Sequence, residues 1–277
     1  MIRTTRLSAR IAKWAALAVV FCVFVFPLLL VLLNSFKPLA NIIINPLSLP
    51  QSWYLSNYVN AFQLMNFPSS FANSLIITVC SVSLIALCSS MTAYLFVRKK
   101  NRLTTALFYS MVSSMLIPFQ ALMIPLLQIY GADLHLLDNK WVLIYMYIGF
   151  GASLAVFFYH GVIKSIPVEL EEAAMIDGAN RLQTFFRIVF PLLLPATVTL
   201  IILDSLWIWN DYLLPSLILQ SPGQRTLPLS TFAFYSTYSA NFGQVMAALV
   251  MTAGPLLLAY LFLQRHIIRG IMSGSIK

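Results

Sequence analysis

Half of the chain's eight carboxylates, Glu169, Glu171, Glu172 and Asp177, stand in one short stretch that also holds Ala173, Ala174 and Gly178. Carboxylates beside a strip of small side chains can accept charge-assisted hydrogen bonds from Arg or Lys on a surface pressed against that strip. The spacing of Leu170, Ala173 and Ala174 sets these three on one helix face. The stretch therefore reads either as a handle for another protein or as a solvated amphipathic hairpin with no partner. A second concentration of chemistry is Trp207-Ile208-Trp209-Asn210-Asp211-Tyr212, with Asp204 one turn before it. Aromatic faces beside amide and carboxylate acceptors suit the alternating apolar and hydroxyl surfaces of a sugar, and an interfacial aromatic belt would use the same tryptophans. An acid in the middle of an apolar helix costs roughly 2.5 to 3.5 kcal/mol on insertion scales, so Asp204 should face protein or water.

Other chemistry is not encoded. A chain that hydrolysed nucleotide would need the phosphate cradle G-x-x-x-x-G-K-[ST], but Lys164-Ser165 is the only Lys followed by Ser or Thr and it lacks the glycines. His135, His160 and His266 are scattered, without metal-ligand spacing or a matching nucleophile. No catalytic, cofactor or metal site is expected in this chain.

The elements that must position the acids follow from composition. Hydrophobic residues make up 60% of the 277 and charged residues 9%, which excludes an ordinary water-soluble domain. A spanning helix needs roughly 20 apolar residues to cross about 30 Å of hydrocarbon. Six segments qualify, at about 14–33, 74–97, 104–128, 141–163, 192–219 and 241–264. With the amino terminus inside, fourteen of the 17 Lys and Arg residues fall in inner segments, and only Lys37, Lys140 and Arg225 fall outside. The net charge of +9 is thus a topology signal, and nucleic acid is not an expected partner. The first segment reads as an uncleaved anchor, with no small-x-small site after it. Cys22, Cys80 and Cys88 lie in apolar segments and read as small packing residues.

Between the spans, the uncharged, proline-punctuated stretch after Pro38 and the stretch from Gln220 to Ala240 read as outer loops. Pro27, Pro118, Pro125, Pro195, Pro215 and Pro255 fall within spans and should bend them. Ser74, Thr78, Ser81, Ser83, Ser89, Ser90 and Thr92 let the second span pack closely on its neighbours. In the loop at about 164–190, Pro167 can open a helix, the acids favour its first turn and Gly178 supplies a stop, giving about three turns. Asn180 with Gln183 forms a capping pattern for a second helix to Phe190, and Pro191 marks the start of the fifth span.

The run from Ile166 to Ala179, with Ile188 and Pro191, closely resembles the EAA loop of ABC-importer permeases: Glu-Ala-Ala, three residues, Gly, nine residues, Ile, one residue, Leu-Pro. Every spacing holds, and Phe190 stands where the Leu is usual. Asn34-Ser35-Phe36-Lys37-Pro38, Asn57-Tyr58, Asn73-Ser74, Trp209-Asn210-Asp211-Tyr212, Leu227-Pro228-Leu229 and the tail from Gln264 to Lys277 are similar to the smaller, six-span permease subunit of maltose importers. The resemblance implies an all-α integral membrane protein of type I ABC-importer permease architecture: six transmembrane helices with a cytoplasmic helical hairpin. It forms one domain over 1–277, with a core at about 70–265 and a cytoplasmic tail at 265–277. It further implies a transport subunit, not an enzyme, in a bacterial or archaeal inner membrane with both termini cytoplasmic.

By the same resemblance, Glu169, Glu172, Ala173, Ala174, Asp177, Gly178, Ile188 and Pro191 couple the chain to an ATPase that holds ATP and magnesium. Two ATPase subunits, an unequal second permease subunit and an extracytoplasmic substrate-binding protein complete the complex in the lipid bilayer. Asp204, Trp207, Asn210 and Asp211 are candidates for the passage or the subunit interface. The substrate class is a sugar or oligosaccharide, with a glycerol phosphate or polyol as the alternative. From a different class, a self-contained secondary carrier would use Asp204 as its ion-linked group, and a non-transporting scaffold would show no substrate flux.

Overall fold

Long apolar segments in this chain become long helices, because a helix satisfies every backbone group within itself. The computed structural model describes residues 2–235 and 241–275, with side chains for 12–232, 234 and 241–261. In chain order the α-helices are α1 (Ile2–Ser35), α2 (Leu39–Ile44), α3 (Ser56–Leu64), α4 (Phe67–Arg98), α5 (Arg102–Ser114), α6 (Phe119–Leu127), α7 (Lys140–Ile163), α8 (Glu169–Ile176), α9 (Arg181–Thr184), α10 (Phe190–Asn210), α11 (Leu213–Ile218), α12 (Leu227–Ser230) and α13 (Phe242–Ser275). Wider π-helical turns continue α6 over Gln128–Asp133 and lead from α9 into α10 over Phe185–Val189. Among the described residues there is no strand. Among the described residues five helices are long and apolar enough to cross a membrane, and six if the bent pair Arg102–Ser114 and Phe119–Asp133 counts as one span.

The structure alters three of the expected spans. The second begins at Phe67, seven residues early, because Pro68 sits in the first turn, where a missing N–H costs nothing. The third is not one gently kinked helix: α5 and α6 meet at 98°, with Pro118 as the cap of α6 instead of an interior residue. The fifth ends at Asn210, not near 219. There Asp211 is extended and its Oδ1 accepts the N–H of Leu213 at 2.9 Å, which starts α11 and puts Pro215 in a first turn. Pro27, Pro125, Pro195 and Pro255 do lie inside helices.

The fold divides into two units, Met1–Phe67 with Thr231–Pro255, and Pro68–Ser230 with Leu256–Lys277. In the first, the carbonyls left open at the end of α1 are closed by one side chain: Asn57 Nδ2 donates to Ser35 and Lys37, each at 2.9 Å. Ser35 Oγ pairs with Tyr58 Oη at 2.7 Å, and Lys37, buried, donates to the Pro46 carbonyl at 3.1 Å. Two sequence patterns some twenty residues apart are thus one hydrogen-bonded knot. Gly243 belongs to it, since a Cβ there would sit 2.5 Å from Asn57 Nδ2.

In the second unit, α4, α7 and α10 supply the core, with Ile85, Tyr147, Tyr159, Leu193 and Leu200 almost fully buried. Ser74, Thr78, Ser81, Ser89 and Ser90 are buried on α4, while Ser83 is exposed. Hydroxyl side chains therefore line its packing face at helical spacing. At the head of α4, Asn73 donates to the carbonyls of Gly223 and Arg225 and accepts from Lys140 Nζ, at 2.9, 3.2 and 3.1 Å. Ser74 Oγ accepts the Leu227 N–H at 2.8 Å. Cys22 and Cys88 stand exposed on apolar helices and Cys80 is half-buried, so the expected packing role fails for the first two. The tail expected over 265–277 continues α13 as backbone to Ser275; its side chains, and residues 276–277, lie outside the described residues.

Candidate functional site

The acid-rich stretch folds as a short helix with a closed end. α8 has eight residues, about two turns where three were expected, because its cap is Val168 and Pro167 lies before it. The far end is a Schellman closure: Ala179 N–H bonds the Ala174 carbonyl at 3.0 Å and Gly178 N–H the Met175 carbonyl at 3.1 Å. Gly178 has φ +87, a left-handed conformation that other residues enter at a cost of roughly 1–2 kcal/mol. Asn180 and Gln183 exchange side chain-to-backbone hydrogen bonds, each 2.9 Å, and so open α9 as the sequence indicates. The second arm does not stop at Pro191. Arg181–Asn210 runs on as one apolar length, and the π-helical turn re-spaces the carbonyls just ahead of Pro191, which offers no N–H to Arg187.

Burial sorts the loop residues. Glu169, Glu172, Ala173, Asp177 and Gly178 are exposed together on α8 and its end, and Ala174 is half-buried. Leu170, Met175 and Ile176 are exposed beside them, Ile176 at 86%. Ile188 is half-buried and Pro191 exposed on the following arm.

Glu171 behaves differently. Its carboxylate is buried, with Oε1 accepting Arg98 Nε at 2.8 Å and pairing with Nη2 at 2.7 Å, while Oε2 accepts the Tyr94 hydroxyl at 2.7 Å. Arg98 Nη2 also donates to the Ile166 carbonyl at 2.9 Å. Reading all the acids as outward-facing is thus wrong for one of them. No local pattern marks it, because its partner lies 73 residues away.

Of the four pathway candidates, the structure brings two together. Trp207 and Asp211 line a cavity of about 750 Å³, with Tyr130, Tyr145, Phe150 and Ser153 among its other walls. Asp211 Oδ2 accepts the Tyr147 hydroxyl at 2.8 Å, and the Tyr147 ring meets Trp207 edge-on at 5.6 Å. Gly151 admits the end of the Ile85 side chain beside Trp207, since a Cβ there would fall 2.7 Å from Ile85 Cδ1. Asp204 and Asn210 are not on the cavity. Asn210 closes its own helix, donating to the Leu206 carbonyl at 2.7 Å. Asp204 is 3% exposed, and its Oδ2 meets no hydrogen-bond donor among the described residues.

Residues 85–273, more than half of the chain, match the family described as binding-protein-dependent transport system inner membrane component. The chain is 45% identical over 251 residues, 91% of either protein, to the "Probable starch degradation products transport system permease protein AmyC" of Thermoanaerobacterium thermosulfurigenes. It is 34% identical over 261 residues, 94% of either protein, to the "Melibiose/raffinose/stachyose import permease protein MelC" of Bacillus subtilis. In fold it matches a chain from the crystal structure of a bacterial ABC transporter involved in the import of the acidic polysaccharide alginate. That match has a TM-score of 0.78 at 23% identity and covers 95% of this chain and 97% of that one.

Proposed function

The chain belongs to the family of binding-protein-dependent transport system inner membrane components, and we propose that it is a permease subunit of an ATP-driven importer for oligosaccharides. The substrate class is supported by relatives named for starch degradation products and for melibiose, raffinose and stachyose. Residues 1–277 act as one transmembrane domain in a bacterial or archaeal inner membrane. Both termini and the 164–190 hairpin face the cytoplasm, because the basic residues gather on that side. An unequal second permease completes the passage, an extracytoplasmic protein delivers the sugar, and two ATPase subunits holding ATP and magnesium supply the work.

The observation that carries this reading is α8 itself. It presents Glu169, Glu172 and Asp177 around exposed Ala173, Leu170 and Ile176, a small apolar ridge with an acid rim. A cleft edged with Arg or Lys would receive the ridge and pair with the rim. Asp204, buried with an unsatisfied oxygen, is a position for a group from the second permease or for pathway water, because an unpaired buried carboxylate is costly. Trp207 and Asp211 face the cavity side of the passage.

Proteoliposomes holding the whole complex should accumulate maltooligosaccharides or α-galactosides only when ATP is inside. Glu172→Ala should lower uptake about tenfold, equivalent to ~1.4 kcal/mol of lost coupling. A reagent placed at position 172 should crosslink to the ATPase. Gradient-driven uptake by the purified chain alone would instead identify a self-contained carrier.

A further inference from the structure

A buried ion pair is a weak source of stability, since apolar side chains of similar size often serve as well. The Arg98–Glu171 pair therefore calls for another role, and its geometry supplies one. Arg98 ends α4 and holds both Glu171, in the first turn of α8, and the Ile166 carbonyl on the approach to it. Tyr94 stands one turn earlier on the same face of α4. Its hydroxyl holds the second Glu171 oxygen, and its ring packs 5.3 Å from Phe185, where the other arm of the hairpin begins its π-helical turn. The end of α4 is thus pinned to the first arm of the hairpin by part-buried hydrogen bonds and to the second by ring packing, while the exposed side of α8 is left free.

We propose that Tyr94, Arg98 and Glu171 are positioning residues that make the hairpin and α4 move as one body, so that displacement of α8 by its docked partner is delivered to a membrane-spanning helix. Glu171 is then the inward counterpart of Glu172: one carboxylate grips the core and its neighbour grips the partner. Arg is required at 98 because a planar guanidinium can bond a carboxylate and a carbonyl at once, and an ammonium cannot hold that geometry. The inference rests on the proposed docking of α8 to the ATPase.

The test uses the full complex of this chain, its partner permease and the ATPase subunits, with Cys22, Cys80 and Cys88 replaced. Spin labels at exposed Leu95 on α4 and at exposed Met175 on α8 are each measured against a label at Trp141, at the far end of α7. Addition of ATP and magnesium should shift both distances in the otherwise native complex. In Glu171→Gln, and in the pair Arg98→Met with Glu171→Gln, the Met175 shift should persist and the Leu95 shift should be lost. The double variant leaves no uncompensated buried charge, so recovered assembly with lost α4 movement separates transmission from folding. Tyr94→Phe, which keeps the ring and the ion pair, should reduce the Leu95 shift and serves if the double variant does not assemble. A Leu95 shift that survives in every variant that assembles, or that is absent from the native complex, overturns the proposal. A native complex in which position 172 never crosslinks to the ATPase refutes the docking itself, a result read independently of the α4 label.

Discussion

Three carboxylates show how one functional group takes three roles from its surroundings. Glu172 is solvated and available, Glu171 is enclosed by Arg98 and Tyr94, and Asp138 clasps a loop. Asp138 Oδ1 accepts the backbone N–H groups of Gln220 and Ser221 at 3.0 and 2.8 Å, and Oδ2 accepts the Ser221 hydroxyl. Those donors, the Ser221 hydroxyl foremost, hold its carboxyl below the usual aspartate range. The ionised form is therefore favoured by folding. The clasp is fully present above the unfolded value of about 4 and is lost as pH falls through the lower folded value. Amide exchange at Gln220 and Ser221, corrected for intrinsic chemistry, should lose protection on acidification below about pH 4. Asp138→Asn should show the unprotected behaviour already at neutral pH, and unchanged protection in that variant would refute the clasp.

The hairpin is an element built from its ends inward. α8 is too short to persist alone, so its shape depends on the Schellman closure at Gly178, the reciprocal box of Asn180 and Gln183, and the anchor through Glu171. Asn180→Ala removes an acceptor for the Gln183 N–H and should cost about 1 kcal/mol of local stability. Because the cap governs α9 and not the ridge itself, the expected readout is faster proteolysis between Ile176 and Leu182. Equal proteolysis of variant and parent would show that tertiary packing alone shapes this turn. The α5–α6 corner is the opposite case, an element set by a break: Pro118 caps α6, and Ser114 at the end of α5 pairs with Ser153 Oγ on α7 at 2.9 Å.

On the scale of the whole molecule the charge distribution makes a simple demand. A thiol-reactive, membrane-impermeant reagent applied to intact cells should label Ser52→Cys, and should label Glu172→Cys only after the membrane is opened, in a chain freed of its native cysteines. Labelling of position 172 but not of position 52 from outside would reverse the orientation and remove the hairpin from reach of any cytoplasmic ATPase. The same experiment bears on the proposed importer, in which a binding protein and an ATPase would meet opposite faces of the chain.

The sequence by itself determined the apolar segments, the family resemblance, the glycine at the left-handed position 178 and the cap at Asn180, because each is written in neighbouring residues or in composition. It also pointed to Asp204 as an acid turned from lipid towards protein or water, and the structure buries it. Only the tertiary structure decided which loop acid turns inward, that the third span breaks at a corner, and that the fifth stops at Asn210. It alone joined Asn73 to carbonyls some 150 residues away. The reason is physical: a carboxylate's environment is set by whatever the fold brings to its far side, and pairs such as Arg98 and Glu171 leave no periodic trace along the chain.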